Sequence, residues 1–346
     1  MTRRTLARPG HGAPLGALLL GAAIILGGTI CGGDGAAAAE TLRASHQWPG
    51  GTGDLRDEMV QIIAREANQA GVDLDVKVYP GASLFKPNDQ WSALTRGQLD
   101  ISAFPLAYAG GRHPEFNLTL MPGLVKNHEH AQRLNDSEFM RRIKQIMDDA
   151  GVLVLADTWL AGGFASTEGC VLEPADVQGQ VFRAAGKAFE EMLVGAGASI
   201  ASMPSSEIYT ALQTGVLDGT NTSSESFVSY RLYEQLKCVT PPGENALWFM
   251  YEPIVMSKQR YARLTPEQQR VLMEAGKKAE QFAYEAAKEA DQGMIDVFEK
   301  NGVEVAYMTG EQADRWRGIA EETSYRSFAE EVEGGRELLD LALSVE

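Results

Sequence analysis

The residues best suited to metal chemistry by type and proximity are the two histidines of His128-Glu129-His130. A zinc site needs several His, Cys or carboxylate ligands that converge on one ion. In a helix, however, residues two positions apart point away from each other. The segment therefore predicts an exposed helix start, and we expect no metal site in this chain.

Motifs for covalent or phosphoryl chemistry are absent from the sequence. There is no G-x-S-x-G elbow, no phosphate-binding loop, no H-E-x-x-H and no paired C-x-x-C. The glycines of Gly50-Gly51-Thr52-Gly53 lack the spacing and the lysine of a phosphate cradle and indicate a turn. We therefore predict a binding protein with no catalytic residues and no cofactor. A hydrolase that uses Asp157 or Glu225 is the enzymatic alternative.

The first 39 residues have the pattern of a cleavable signal peptide. Arg3, Arg4 and Arg8 precede an apolar run over 14–30, and small alanines follow before Glu40. This pattern predicts export to the periplasm. In that oxidising compartment Cys170 and Cys238 are expected to form a disulfide, although two buried thiols are the alternative.

Charge and composition narrow the class of partner. The chain has 47 acidic and 31 basic residues and a formal net charge of −16, which argues against a phosphate-backbone partner such as nucleic acid. Its 44 % apolar and 23 % charged residues are near globular averages. A length of 346 residues suggests two compact units.

Strand and helix patterns alternate along the first part of the chain. Leu42, Ala44 and His46 begin an alternating strand, Asp54 caps a helix that ends at Gly71, and residues 72–78 alternate again. This order predicts an α/β fold whose mixed sheets are covered by helices. In such folds ligands bind beyond the carboxyl ends of the strands.

An internal repeat indicates two similar lobes. The segments over 93–100 and 211–218 share the pattern A-L-x-x-G-x-L-D, in which a helix ends at a glycine and a strand follows. Coincidence is the alternative, because this joint recurs in many α/β proteins. Further on, Thr265 and Pro266 start a long helix that extends to about Asn301, with a kink at Gly276 or Gly293 as the alternative. Residues 311–344 suggest short acidic helices around Trp316.

The second repeat lies in a stretch that resembles the solute-binding proteins of tripartite ATP-independent periplasmic (TRAP) transporters. The matching text comprises Gln178-Gly179-Gln180-Val181-Phe182-Arg183, Gly197-Ala198, Met203-Pro204-Ser205-Ser206-Glu207-Ile208-Tyr209-Thr210-Ala211-Leu212-Gln213-Thr214-Gly215 and Asp218-Gly219. The resemblance implies a two-lobed periplasmic solute-binding fold that closes on a small organic acid, with a long helix between the lobes. We expect lobe I at 40–158, with later segments returning to it, and lobe II at 159–255. The long helix and the C-terminal helices at 256–346 are expected to span both lobes.

The resemblance also implies the residues that hold the ligand. Arg183 matches the family arginine that binds the ligand carboxylate, for which a planar guanidinium gives two parallel charge-assisted hydrogen bonds. Trp159 lies where the family often has an aromatic contact. Ser205, Asn221 and Thr222 fall where members read the rest of the ligand.

Two departures from the family constrain the ligand. Some members have a carboxylate in place of Asn221 and use it for a cation or an amino group, so an obligatory metal is not expected. Gly163 lies where certain sugar-acid binders have a second arginine, so one anionic group is enough.

Further ligand contacts are predicted from position alone. Trp248 belongs to an aromatic run over 244–251 that is expected to wall the pocket, although a buried strand explains the same residues. His46 and Phe104, with the rest of the segment over 104–108, follow strand ends that are expected to face the cleft.

These observations together predict the solute-binding subunit of a TRAP transporter. Its ligand is expected to be a small organic acid similar to a C4-dicarboxylate, and its partners the membrane permease subunits. The chain is expected to be a monomer. A sensory subunit that presents its closed form to a receptor is the alternative.

Overall fold

The computed structural model describes residues 39–346, so the predicted signal peptide lies outside the described residues except for its last position. The described residues belong to one compact unit. Within the described range, no helix combines the length and the apolar character needed to cross a membrane.

Twelve strands occur in the described chain. The first six are β1 (Glu40–Ser45), β2 (Leu74–Tyr79), β3 (Ile101–Ala103), β4 (Val152–Ala156), β5 (Trp159–Ser166) and β6 (Val181–Ala184). The others are β7 (Ser199–Ser202), β8 (Gly219–Ser223), β9 (Cys238–Thr240), β10 (Trp248–Tyr251), β11 (Ile254–Ser257) and β12 (Glu304–Val305).

The strands form two mixed sheets. The first sheet has the order β2-β1-β3-β11-β4, in which β1 is parallel to β2 and β3 while β11 is antiparallel to both neighbours. The second sheet has the order β12-β9-β5-β8-β6-β7, and β10 also pairs with β5. These mixed sheets covered by helices confirm the predicted fold class.

Twelve α-helices accompany the sheets. They are α1 (Leu55–Gln69), α2 (Pro87–Thr95), α3 (His128–Asn135), α4 (Glu138–Asp149), α5 (Lys187–Gly195) and α6 (Ile208–Gln213), followed by α7 (Ser224–Ser229), α8 (Lys258–Tyr261), α9 (Pro266–Lys300), α10 (Gly310–Ala320), α11 (Arg326–Glu331) and α12 (Gly335–Leu343). A π-helical turn over Glu321–Tyr325 joins α10 to α11.

The chain changes sheets at two adjacent places. Residues 157–158 link β4 of the first sheet to β5 of the second, and residues 252–253 link β10 back to β11. The two links are bonded to each other, because the Glu252 N–H donates to the Thr158 carbonyl over 2.8 Å. The lobe limits at 158 and 255 stay a prediction, but each lies within three residues of these links.

The long helix α9 runs unbroken over 35 residues, or roughly 52 Å at 1.5 Å per residue. Its start follows from local sequence, because Thr265 and Gln268 form a capping box and Pro266 occupies the first turn. Neither Gly276 nor Gly293 breaks it, so the prediction of one long helix is confirmed.

The repeated segments occupy equivalent positions in the two sheets. Gly97 follows α2 and precedes β3, and Gly215 follows α6 and precedes β8. Both glycines have left-handed backbone conformations, with φ of 66° and 70°. A side chain is disfavoured in this conformation, which is why glycine ends both helices. The repeat thus delivers β3 and β8 into their sheets by the same local structure.

Candidate functional site

Arg183 is buried at the carboxyl end of β6, with 1 % of its surface exposed. Its Nε donates to the Met203 carbonyl over 2.9 Å, and its Nη1 donates to the Asn221 carbonyl over 2.8 Å. The third bond runs from Nη2 to the Tyr108 hydroxyl over 3.0 Å. These bonds fix the guanidinium plane and leave two of its five N–H groups available to another acceptor.

No carboxylate among the described residues forms an ion pair with Arg183. The positive charge of Arg183 does act on the nearby carboxyl of Glu252. Burial raises the pKa of the Glu252 carboxyl, while the positive charges of Arg56 and Arg183 act in the opposite direction. A buried guanidinium that has only neutral acceptors is poorly compensated and attracts an anion.

Three N–H donors, one of them from Arg183, converge on the Tyr108 hydroxyl. The Tyr108 hydroxyl oxygen lies 3.0 Å from Arg183 Nη2, 3.0 Å from the Ser205 backbone nitrogen and 3.4 Å from Gln47 Nε2. Ser205 was predicted through its side chain, but the atom that joins this cluster is its backbone nitrogen. Ser205 begins a 3₁₀ turn after Pro204, so its N–H is not used inside a helix.

Asn221 and Thr222 lie on β8 and are buried, and the Asn221 carbonyl accepts from the guanidinium. Neither Nδ2 nor Oδ1 of Asn221 has a hydrogen-bond partner in the described part of the chain. Leaving a buried amide unpaired costs about 1–3 kcal/mol for each group, so these atoms are suited to bind a ligand. Thr222 pairs in register with Gly163 of β5.

A cavity of about 290 Å³ adjoins this cluster. Its walls include the neighbours of Arg183, namely Tyr108, Ala184 and Met203. One part of the cavity lining, between residues 88 and 117, belongs to the first sheet's side. The other part, at 184–190 and 202–204, belongs to the second sheet's side. The cavity is therefore formed between the two sheets, and a small organic molecule fits its volume.

None of the eight predicted ligand contacts is a lining residue of this cavity. Arg183, Ser205 and Asn221 lie in the cluster beside it, Thr222 follows Asn221 on β8, and the other four predicted contacts lie elsewhere. His46 bonds to Asp57 over 3.0 Å, and Phe104 packs in the core with its ring centroid 5.7 Å from that of Trp91. Trp248 is buried on β10 beside Gly162. Trp159 lines a separate groove of about 300 Å³ along α9 and donates to Asn135 over 2.8 Å.

The residues named for other chemistry have separate partners. His128 bonds to Asp291 over 2.8 Å, whereas His130 bonds to the Val345 carbonyl over 3.0 Å, so the two rings do not share a ligand. Asp157 accepts from Lys144 over 2.6 Å and from Tyr251. Cys170 and Cys238 form a disulfide in the structure.

Sequence reasoning did not identify Arg56 and Tyr108 as site residues. Arg56 is fully buried, bonds to Asp54 over 2.7 Å and to Glu252 over 3.0 Å, and lies 4.1 Å from the ring centroid of Trp48. Its position two residues after a helix cap is the same as that of many exposed arginines. Tyr108 ends the segment over 104–108 that is expected to face the cleft, but the sequence alone does not show that Tyr108 rather than Phe104 is the residue that contacts the site.

Comparison with known proteins gives the class of this fold and site. The family model for "Bacterial extracellular solute-binding protein, family 7" (DctP) matches residues 52–331. A solute-binding protein of Albidiferax ferrireducens is 39 % identical over 310 residues, which cover 88 % of this chain and 92 % of the relative. The C4-dicarboxylate-binding periplasmic protein DctP of Shewanella loihica is 25 % identical over 277 residues, which cover 79 % of this chain and 80 % of that relative.

A solved structure agrees with these sequence matches. The TRAP periplasmic solute-binding protein of Rhodoferax ferrireducens with bound malonate has a TM-score of 0.85 and 38 % identity, covering 88 % of this chain and 98 % of that chain. The chain therefore belongs to family 7 of the bacterial extracellular solute-binding proteins. It is a TRAP solute-binding protein, as the resemblance over 178–222 implied, and this family is one of transport proteins rather than enzymes.

Proposed function

We propose that this protein binds a small organic acid in the cavity between the two sheets, that Arg183 holds the acid's carboxylate, and that the loaded form is delivered to a TRAP permease. The observation that carries the proposal is the buried Arg183 guanidinium, which is fixed by three neutral acceptors and has no carboxylate partner in the described residues. A carboxylate would supply the missing negative charge and accept two parallel bonds.

The groups around the cavity extend the proposal to ligand capture. The Ser205 N–H and the Gln47 amide are further donors, and they belong to different sheets' sides, because Gln47 follows β1 and Ser205 follows β7. A carboxylate between them would bridge the two sheets, so its binding would favour the closed arrangement. The permease would then distinguish loaded from empty protein by this shift in population.

The proposed ligand is a small organic acid. The relative with 38 % identity contains malonate, which is the most direct guide. Of the two buried arginines in the described residues, Arg56 is paired with carboxylates and Arg183 is not. One such arginine calls for one anionic group, as the glycine at position 163 also suggests. We further propose that the protein is a periplasmic monomer exported by the signal peptide over 1–39.

Calorimetry tests the role of Arg183. A thermal-shift screen of malonate, other mono- and dicarboxylates, sugar acids and sulfonates first selects the acid that stabilises the protein most. Arg183→Lys is expected to weaken binding of that acid at least a hundredfold, or about 2.7 kcal/mol, because lysine cannot form the paired bonds. Arg141→Ala, an exposed arginine paired with Glu138, is the control and should bind normally. Binding by Arg183→Lys within twofold of the wild type would refute the proposal.

A further inference from the structure

The Tyr108 hydroxyl lies in an environment that suits an anionic oxygen better than a phenol. Three N–H groups point at it, from Arg183, Ser205 and Gln47. A phenol oxygen has two lone pairs and one proton of its own, so three donors exceed what it can accept well. No described residue accepts the Tyr108 proton. A carboxylate oxygen has no such proton and binds a guanidinium more strongly.

The same hydroxyl connects the two sheets. Tyr108 ends a segment that follows β3 of the first sheet, within a 3₁₀ turn over Leu106–Ala109. Arg183 and Ser205 belong to the second sheet's side. The two 3.0 Å bonds from these residues to Tyr108 thus cross from one side to the other. They are the kind of connection that a ligand carboxylate is proposed to make.

Tyr108 has room to leave this position. Its side chain is half-buried and forms part of the wall of the 290 Å³ cavity. Gly110 and Gly111 follow directly after the turn. A Cβ at Gly110 would lie 2.3 Å from Asn117 Oδ1, whereas nothing lies within 4 Å of one at Gly111. A rotation of the ring toward the cavity would expose the three donors to an incoming ligand.

We propose that Tyr108 competes with the ligand, its hydroxyl filling the carboxylate-oxygen position beside Arg183 and closing the protein on itself until an acid displaces it. This inference rests on the proposed function. Displacement requires an oxygen that binds the guanidinium better than a phenol does, so carboxylates succeed where neutral esters and amides do not. Tyr108 is thereby a specificity-determining residue. The apparent affinity is therefore the intrinsic affinity multiplied by the fraction of protein in which the position is free.

Two measurements on Tyr108→Phe test this competition. Small-angle X-ray scattering of the ligand-free protein is expected to give a larger radius of gyration for the variant than for the wild type, because the connection between the sheets is lost. Calorimetry with malonate is expected to show binding at least threefold tighter, which corresponds to a free fraction of about one third in the wild type.

Two other tyrosines provide matched controls. The Tyr230 hydroxyl donates to the Gln47 carbonyl over 3.0 Å, so Tyr230→Phe also removes a bond between the two sides but keeps the Tyr108 hydroxyl that fills the position beside Arg183. It should open the protein and weaken malonate binding. Tyr209 bonds to Glu234 within the second sheet's side, and Tyr209→Phe should change neither quantity.

The outcomes separate this inference from the proposed function. An unchanged radius of gyration in Tyr108→Phe, or malonate binding that is equal or weaker, overturns the competition. If the wild type does not bind malonate, the scattering comparison alone decides. Failure of every acid in the screen would instead refute the proposed function, whatever the scattering shows.

Discussion

The Nη1 atom of Arg56 lies 3.0 Å from Oε2 of Glu252, and this contact joins helix α1 to the link between β10 and β11. The same nitrogen lies 3.0 Å from the hydroxyl of Ser223, the last residue of β8 in the second sheet, and 3.1 Å from that of Ser226 in α7. Burial alone would lower the pKa of Arg56, but the charges of Asp54 and Glu252 raise it, so the side chain stays ionised. Arg56 therefore connects both sides of the molecule where the chain changes sheets.

Replacing Arg56 should destabilise the fold strongly. Arg56→Met leaves the buried Asp54 and Glu252 carboxyls without their cation, and removing one partner of a buried pair costs about 3–5 kcal/mol. Arg270→Met is the matched control, because Arg270 also pairs with two carboxylates, Glu267 and Glu274, but is exposed. Its loss should change the free energy of unfolding little, because exposed ion pairs are screened by solvent. Urea unfolding measures both, and equal losses would contradict the assignment of Arg56 as a buried connection.

Glu225 is expected to make stability depend on pH. Burial, and then the neighbouring Asp54 carboxylate, raises the pKa of Glu225 from 4.5 to about 7. The folded state therefore binds a proton that the unfolded chain has released between these values. This contribution to the free energy of unfolding is complete below pH 4.5 and is lost as the pH rises toward 7.

The comparison with Glu225→Gln isolates this effect. The histidines whose pKa values are lowered by burial, His113 and His130, titrate in both proteins and cancel in the difference. The free energy of unfolding of the wild type minus that of the variant should fall as the pH rises from about 4.5 to about 7. A difference that stays constant from pH 4 to pH 8 would show that Glu225 does not titrate abnormally.

Two glycines of helix α9 should respond oppositely to alanine. A Cβ at Gly276 would lie 2.0 Å from the Leu155 carbonyl oxygen of β4, whereas nothing lies within 4 Å of one at Gly293. Gly276→Ala must push the helix away from the first sheet and should lower the free energy of unfolding by several kcal/mol. Gly293→Ala should raise it by up to about 1 kcal/mol, because alanine is the better helix former. Urea denaturation of both variants checks the contrast, and similar changes would contradict the close packing at Gly276.

These contrasts show what could be predicted from the sequence. The ends of α9 and the two glycine joints at Gly97 and Gly215 depend on residues within a few positions, so local patterns sufficed. Arg183 was identified because a family motif surrounds it. The contact between Tyr108 and Arg183 spans 75 positions, and that between Arg56 and Glu252 spans 196. Nothing near either residue in the sequence encodes such a distant partner.

The disulfide between Cys170 and Cys238 should stabilise the fold. The two residues are 68 positions apart, and closing a loop of this length in the unfolded chain is worth about 4 kcal/mol in the chain-entropy account. Unfolding by urea should require less denaturant after reduction of the wild type. The Cys170→Ala, Cys238→Ala double variant should not respond to the reductant. Free thiols in the untreated denatured protein, counted by mass spectrometry after alkylation, would instead support the alternative of two buried thiols.

Asn221 should show that this site is maintained at a cost in stability. Its amide is fully buried, and neither polar atom has a partner among the described residues. Asn221→Leu replaces the unpaired amide by an apolar group of similar size, so the ligand-free variant should be as stable as the wild type or more stable. Binding of the acid selected by thermal shift should weaken at least tenfold in calorimetry, because the amide is expected to bind the ligand.

A second buried polar residue makes the comparison decisive. Thr240 on β9 has a satisfied hydroxyl, which donates to the Val171 carbonyl over 2.9 Å. Thr240→Val should therefore lose about 1 kcal/mol of stability and leave acid binding unchanged. The two variants are thus expected to have opposite effects, since one polar group serves the fold and the other serves the ligand. An Asn221→Leu protein that is destabilised and binds normally would assign Asn221 to the fold instead.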